Sequence, residues 1–282
     1  MTTTSLPRPD GAEPSVARTD QPALAVQFGR NLTAEWTKLR SVRSSIISLL
    51  ATGAVCIGFA VLLSYGMLSR WDQLSPQRRA SFHPATFSVS GVFFGQLVIG
   101  ALGVLAMSAE YSTGTIRATV SATPQRLAMY LSKIVVFALT ALVVALISMT
   151  VAFLGAQAIL SSKQIGAGIS DPGVPRILLG SALFLVAVGL LGLGLATLLR
   201  HTAGAISTVF GLMLVLPLLS NFMPSDWQAN VDKWLPLNAG ATVMQTTAEA
   251  GQFGPWTGLG VLYGYALVAL VAGGVVLARR DA

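Results

Sequence analysis

Apolar residues in this chain fall into six long, nearly uninterrupted runs separated by shorter polar stretches. A helix needs about 20 apolar residues to cross the hydrocarbon core of a bilayer, and each run reaches or approaches that length. The pattern therefore predicts an all-α, polytopic membrane protein. The predicted spans cover residues 45–66, 89–109, 132–160, 177–199, 203–219 and 257–278. The fifth is short and is closed by Pro217.

A different pattern precedes the first span. Apolar residues recur there at three- or four-residue spacing, which is typical of one face of a helix: Phe28, Leu32, Trp36, Leu39, Val42 and Ile46. The basic residues lie largely off that face: Arg30, Lys38, Arg40 and Arg43. We predict an amphipathic helix that lies in the membrane interface and runs into the first span. The alternative is a plain extension of that span.

The two remaining polar regions differ in kind. Residues 1–24 are rich in Thr, Pro, Asp, Arg and Ala and contain no apolar run with a following cleavage site. This composition predicts a disordered tail, not a signal peptide, before a six-span domain over residues 25–282. Residues 220–256 are rich in proline and tryptophan and too apolar for a flexible linker. We expect short helices or a re-entrant element there, most clearly over 234–245.

The composition supports the membrane class. The chain is 53% hydrophobic and only 10% charged, whereas soluble domains contain roughly a quarter charged residues. The net charge of +7 comes from basic residues beside the apolar runs, which favours anionic lipid headgroups over nucleic acid. Cys56 is the single cysteine, so an internal disulfide is excluded.

Basic residues also predict the orientation. Six spans place both termini on one side, which then carries twelve of the 18 lysines and arginines. The positive-inside rule puts that side in the cytoplasm and makes the chain a multi-pass protein of the plasma membrane. Arg70, Arg78 and Arg79, in the first loop on the other side, count against this orientation.

Several kinds of chemistry are missing. No lysine follows a glycine, so the phosphate-binding loop of ATPases is absent from this chain. The two histidines, His83 and His201, fall on opposite sides and cannot build a metal site or a catalytic triad. The spans carry almost no ionisable residue at mid-depth, which weakens the interpretation as an ion-coupled carrier. We therefore expect neither catalysis nor a cofactor in this chain.

Small and polar residues within the spans predict helix contacts. Gly91 and Gly95 are four residues apart, as are Gly260 and Gly264, and such pairs allow close packing within one chain or across a dimer interface. Gln96 and Gln157 are the main polar side chains inside apolar runs. We expect both to form hydrogen bonds between helices.

A polar segment between the second and third spans is the most informative stretch. It begins with Glu110, Tyr111 and Ser112. A helix C-terminus carries partial negative charge and favours cations, so an acid there needs a specific reason. Pro124 marks a break before the third span. We interpret the segment as a docking element for a soluble partner, with an ordinary connecting loop as the alternative.

The order Glu110, Gly114-Thr115, Pro124 and Lys133, between spans two and three, resembles the permease subunits of type-2 (exporter) ABC transporters. The string from Ala34 to Arg43 resembles the start of many bacterial members, and residues 234–245 resemble the outer segment before their last span. The resemblance covers nearly everything from Phe28 to Arg280. The chain departs from fused members because it has no nucleotide-binding domain, and it lacks the large extracellular domain of some relatives.

The resemblance implies that this chain is the non-catalytic permease of an ATP-driven export complex. Two permease copies, identical or related, would form the path, and separate ABC ATP-binding subunits would bind ATP and Mg. The ATPase-docking residues would belong to a coupling helix: Glu110, Tyr111, Gly114, Thr115, Arg117 and Pro124. An apolar, uncharged path suits a hydrophobic or amphipathic substrate. A stand-alone secondary transporter or channel, or a membrane interaction or sensor protein, remains the alternative.

Overall fold

The computed structural model describes residues 24–112, 126–247 and 251–279, and its regular elements in those ranges are all helical. Six of the helices are long and apolar enough to cross a membrane, so the prediction of an all-α, six-span protein is confirmed. We call them the first to sixth spans: Arg43–Arg70, Val92–Ser112, Arg126–Leu160, Val174–Leu199, Thr202–Ser220 and Pro255–Arg279.

The fourth span forms the centre of the bundle. Of its most apolar stretch, 83% is buried, against 17% for the fifth span. Small residues allow the other helices to come close to it. A Cβ atom on Gly103 of the second span would overlap the carbonyl oxygen of Gly189, and one on Gly194 would lie 2.7 Å from the carbonyl carbon of Ala269 in the sixth span. Close backbone packing therefore fixes the second and sixth spans on the fourth.

The two glycine pairs noted in the sequence have different surroundings. Gly91 and Gly95 lie against Cys56, so this pair packs the second span onto the first. Gly260 and Gly264 have no neighbouring atom within 4 Å of an added Cβ. The first pair thus serves contacts within the chain, whereas the second lies on open surface.

The two intramembrane glutamines also differ. Gln157 donates to Ser88 Oγ at 2.9 Å and accepts from the backbone nitrogen of Ala167 at 2.7 Å, so its predicted bridging role is confirmed. Gln96 donates to the carbonyl of Phe93 at 3.0 Å in its own helix region. The prediction of a bond between helices was therefore wrong for Gln96, whose amide instead satisfies a carbonyl one turn away.

The N-terminal amphipathic segment forms a helix of its own, Leu24–Ser41. Val42 adopts an extended conformation (φ −86°, ψ 105°) and separates this helix from the first span. The alternative of a plain extension is therefore wrong. The helix lies against the third and first spans, with Leu39 packed on the buried core. Because the chain turns at Val42, one face of the helix meets the bundle.

The fifth span continues past the residue that we expected to close it. Its helix contains a π-helical turn, Gly211–Val215, and then runs from Leu216 to Ser220 through Pro217. A π turn is one of the few ways in which a helix accommodates a proline without ending, because the carbonyl that would clash with the ring is displaced. The predicted bounds, 203–219, therefore agree with this span to one residue at each end, although its helix continues three residues beyond Pro217.

Residues 220–256 contain the expected short helices, Ser225–Asp232 and Pro236–Ala241, followed by a 3-10 turn, Thr242–Met244. Ala239 and Val243 are fully buried. This segment and the short helices Pro76–Ala80 and Pro84–Ser88 lie at one end of the bundle. We call that end the opposite face, and the end that carries the N-terminal helix the N-terminal face.

Candidate functional site

Four charged side chains from three helices meet at the N-terminal face. Lys133 Nζ donates to Glu35 Oε2 at 2.7 Å and to Glu110 Oε1 at 2.8 Å. Lys38 Nζ donates to Glu35 Oε1 at 2.9 Å and to Glu110 Oε1 at 3.1 Å. Each lysine therefore bridges both carboxylates. We call Glu35, Lys38, Glu110 and Lys133 the charge cluster.

The helices supply these residues at positions that face one another. Glu35 and Lys38 are one turn apart on the N-terminal helix. Glu110 lies in the last turn of the second span, and Lys133 lies two turns after the start of the third. Residues three or four apart share one face of a helix. The cluster therefore joins the N-terminal helix to both ends of the polar segment between spans two and three.

Three of the four charges are removed from solvent. Glu35, Glu110 and Lys133 are 6%, 8% and 7% exposed. Two lysines balance two carboxylates, which is the condition under which buried charges are tolerated. Removing one partner from such an arrangement leaves an uncompensated buried charge and costs about 3–5 kcal/mol in measured cases. The cluster should thus hold its three helices in one arrangement.

Lys38 is the accessible member of the cluster, with 45% of its side chain exposed. Partial burial lowers its pKa, but the carboxylates of Glu110 and Glu35 outweigh this effect and raise the pKa of Lys38 above its ordinary value. Lys38 therefore stays cationic at neutral pH. Because it is half exposed, it is also the member whose contacts with the carboxylates can be exchanged for water at the lowest cost.

A second contact links the second span to the turn after the fourth. The guanidinium carbon of Arg200 lies 5.4 Å from the centre of the Tyr111 ring, within the range of a cation–π interaction. Arg200 adopts a left-handed conformation (φ 53°) and ends the fourth span. His201 then accepts from the backbone nitrogen of Gly204 at 3.0 Å and starts the fifth span. Tyr111 and Arg200 thus bring the ends of three spans together.

The residues predicted from sequence are only partly placed. Glu110 and Tyr111 end the second span, and Glu110 finds its partners within this chain. Gly114, Thr115, Arg117 and Pro124 lie outside the described residues. Of the interfacial residues, Phe28, Leu32 and Leu39 are half-buried, whereas Trp36, Lys38 and Arg40 are exposed. Docking of an ATPase subunit remains a prediction for its six proposed residues: Glu110, Tyr111, Gly114, Thr115, Arg117 and Pro124.

The pairing of Glu35 and Lys133 with Glu110 was not foreseen. The sequence nevertheless carries a signal for it. Glu35 falls three residues after Leu32 and four before Leu39, so it occupies an inward position in the apolar stripe of its helix. Lys133 similarly lies between the buried residues Tyr130 and Phe137. Opposite charges at two inward positions point to a buried pair.

The charge cluster does not have the composition of a metal centre. Among residues 24–112, 126–247 and 251–279, no three His, Cys, Asp or Glu side chains are placed to hold a metal ion. Among the side chains whose burial is described, the buried charged ones are Glu35, Glu110 and Lys133, which lie together at one end of the bundle. Charges that carry an ion across a membrane are expected at mid-depth. The geometry of the cluster therefore favours holding helices together over ion transport.

Comparison with known proteins gives one family. The model of the ABC-2 family transporter protein domain matches residues 31–227, more than half of the chain. The matched range includes all four residues of the charge cluster. No curated protein matches the chain.

Proposed function

The chain belongs to the ABC-2 family of transporter proteins, and from this premise we propose that it is the permease subunit of an ATP-driven exporter. It is a multi-pass membrane protein with six apolar helices. A separate ABC ATP-binding subunit would bind ATP and Mg and would hydrolyse the nucleotide. The permease itself would convert the closure of that subunit into a change of access to the path.

The N-terminal face is the proposed docking side and would lie in the cytoplasm. The excess of lysine and arginine on the side of the termini supports this orientation. The polar segment between spans two and three emerges on the same face. Its proposed docking residues are those of the coupling helix that the resemblance implies, with Glu110 anchoring its base: Tyr111, Gly114, Thr115, Arg117 and Pro124.

The observation that carries the coupling proposal is the charge cluster at the base of this segment. The 2.8 Å bond between Lys133 and Glu110 joins the end of the second span to the start of the third. A force on this segment would move both spans together, because the bond joins the helices at its two ends. Without such a bond, the loop could change shape while the spans stayed in place. Buried ion pairs have such stiffness because separating them exposes uncompensated charge.

Glu35 and Lys38 extend this connection to the N-terminal helix. Lys133 binds Glu35 at 2.7 Å, and Lys38 binds Glu110 at 3.1 Å. The proposed consequence is that the N-terminal helix moves together with the second and third spans during transport. In this role Glu110 acts as a positioning residue for the coupling segment, and the segment beyond it supplies the contacts with the ATPase.

Two permease copies, identical or related, would enclose the path. The fifth span, of which only 17% of the apolar stretch is buried within this chain, leaves apolar surface for such a contact or for lipid. The proposed substrate is hydrophobic or amphipathic, because the described spans are apolar and their buried charges are gathered at one end.

The docking proposal is tested by charge reversal outside the cluster. Arg117→Glu changes the coupling segment without removing a residue of the cluster, and Arg40→Glu is the matched control on the exposed surface of the N-terminal helix. We expect Arg117→Glu to lower co-purification with the ABC ATP-binding subunit and to lower ATPase activity in nanodiscs, while both variants insert normally. Equal co-purification and equal ATPase activity of the two variants would refute docking at Arg117.

A second experiment separates the coupling proposal from docking. A cross-link between the N-terminal helix and the third span, made through cysteines at Leu32 and Val136, should be tolerated if the two move as a unit, because residues at these positions line one groove between the helices. Transport that survives this cross-link supports the proposal. If transport is lost while the ATP-binding subunit remains bound, the N-terminal helix must separate from the third span during transport.

A further inference from the structure

A pocket of about 530 Å³ opens at the opposite face, far from the charge cluster. It lies between three parts of the chain: residues 81–90, which include the short helix Pro84–Ser88, the start of the second span, and residues 237–245. Its walls include four phenylalanine rings: Phe82, Phe87, Phe93 and Phe184. A volume of this size lies within the ~300–1,000 Å³ that is usual for small-molecule sites.

Long-range hydrogen bonds hold two walls of the pocket in place. Thr86 Oγ1 donates to the carbonyl of Met244 at 2.9 Å and lies 3.0 Å from Thr246 Oγ1. Arg176, from the start of the fourth span, donates from Nη2 to the carbonyl of Gln245 at 2.9 Å. These bonds connect parts of the chain that are far apart in sequence. The pocket is thus formed by the fold before any ligand arrives, which reduces the ordering cost of binding.

Aromatic contacts brace a third wall. The ring of Phe82 lies edge-to-face against Trp71 at 5.2 Å. It is tilted against Phe87, also at 5.2 Å. Phe93, at the start of the second span, remains 46% exposed even though it packs edge-to-face against Phe94 at 5.3 Å. An exposed ring on a braced aromatic wall offers a face for another aromatic or apolar group.

The chemistry of the lining is uncharged. None of the described residues that line the pocket is Asp, Glu, Lys or Arg. Its polar side chains are Ser81, His83, Thr86, Ser90 and Gln245. A charged ligand would lose hydration without gaining an opposite charge. A phospholipid headgroup would likewise find no cation among these residues.

We propose that this pocket binds an uncharged, drug-sized molecule with an apolar or aromatic body and one hydrogen-bonding group. The body lies against Phe82, Phe87 and Phe93, and the hydrogen-bonding group meets His83 or Gln245 at the rim. The residues that line the site all come from one subunit, so it differs from a path between two copies. It also requires no ATP-binding subunit, so its test is independent of the proposed coupling.

The test uses the full chain in phosphatidylcholine nanodiscs with two photoactivatable probes. One is an uncharged sterol that carries a diazirine, and the other is a phosphatidylcholine that carries the same group on an acyl chain. Labelled peptides are mapped by mass spectrometry, with unlabelled sterol as the competitor. We expect saturable sterol labelling of peptides that contain Phe87, Phe93 or Met244, and no saturable labelling there by the phospholipid.

Variants then separate pocket binding from adsorption to the surface. Ala241→Phe fills the pocket, whereas the control Ala203→Phe adds the same ring at an exposed position on the other face. Ala241→Phe should abolish the saturable labelling, and Ala203→Phe should leave it unchanged. Phe93→Ala, which removes a ring that is 46% exposed, should weaken labelling about tenfold.

Three outcomes would overturn the proposal. The first is sterol labelling spread over the apolar surfaces and insensitive to Ala241→Phe. The second is unchanged labelling of a correctly folded Phe93→Ala variant, judged by its size-exclusion profile. The third is saturable labelling of the pocket by the phospholipid that sterol does not displace, which would assign the pocket to a membrane lipid.

Discussion

The two faces of this bundle are held together by different forces. At the N-terminal face, three helices meet through four charges, three of them buried. At the opposite face, the loops are joined by neutral oxygen acceptors and aromatic rings, as in the bond from Thr86 to Met244 and the contact between Trp71 and Phe82. A charge cluster is most sensitive to the loss of a buried member, because the remaining charges stay buried. At the opposite face Thr86 and Arg176 donate to neutral carbonyls, and this network loses only the bonds that are removed.

This contrast matches the proposed roles. A face that transmits force from an ATPase needs helices that cannot separate by small steps, and buried ion pairs provide such an all-or-none connection. A face that accepts an uncharged molecule needs a shaped apolar pocket whose lining carries no charged side chain. Substitutions at the two faces should therefore lower stability by different amounts, and a buried member of the charge cluster should cost the most.

The largest effect should come from Lys133→Met. This change leaves the carboxylates of Glu35 and Glu110 buried with only half-exposed Lys38 to balance them. We expect a loss of about 3–5 kcal/mol in stability, seen as a lower Tm of the protein in detergent. The control Lys163→Met removes an ion pair with Asp72 that is exposed at the opposite face, and it should have little effect. Equal Tm values for the two variants would contradict a structural role for the cluster.

Restoring the charge balance sharpens this prediction. The double variant Lys133→Met with Glu110→Gln removes one charge of each sign, so Lys38 remains to balance Glu35 at 2.9 Å. Its Tm should lie above that of Lys133→Met alone, because coupled residues show non-additive effects. Additive losses would mean that the two residues act separately.

Arg176→Met should have the next largest effect. It removes the bonds to the carbonyls of Gln245 at 2.9 Å and of Val243 at 3.4 Å. Hydrogen bonds to a charged donor contribute about 1.5–3 kcal/mol, and we expect about 2 kcal/mol here. Arg78→Met, an exposed arginine of the same face, is the control. Sterol labelling of the pocket should also fall in Arg176→Met alone.

Lys38→Met should cost less, about 1 kcal/mol, because Lys38 is half exposed and water screens its pairs. The loss should depend on pH. A lysine whose pKa is raised in the folded state stabilises the fold fully below its ordinary pKa of 10.5, and this contribution is lost as the pH rises through the raised value. The Tm difference between the wild type and Lys38→Met should therefore stay constant at neutral pH and disappear in strong alkali. A Tm difference that grows as the pH rises would contradict a raised pKa for Lys38.

The smallest effect should come from Thr86→Val, which removes neutral hydrogen bonds to Met244 and Thr246. We expect about 0.5–1 kcal/mol from the loss of a neutral bond of this kind. The control Thr150→Val removes a bond from Thr150 to the carbonyl of Leu146 in its own helix. A loss for Thr86→Val as large as that for Lys133→Met would erase the contrast between the two faces.

The charge cluster was harder to predict from the sequence than the spans were. Glu110 was identified as unusual because an acid at the end of a helix is locally unfavourable, but the partners that resolve it lie 23 and 72 residues away. Only the contact of the N-terminal helix with the third span shows that Glu35 belongs to the same cluster. The π turn before Pro217 was also missed, since the proline alone predicts a stop and the turn depends on the surrounding helices.

The six spans and the separate amphipathic pattern before them could be predicted from the sequence alone. Both follow from local rules, since a span needs an apolar run of membrane length and a helix repeats every 3.6 residues. Three features required the three-dimensional structure: which charges neutralise one another, which glycines pack within the chain, and where aromatic rings line a pocket. These depend on contacts between residues far apart in sequence, such as the 98 positions between Glu35 and Lys133, and no local period encodes them.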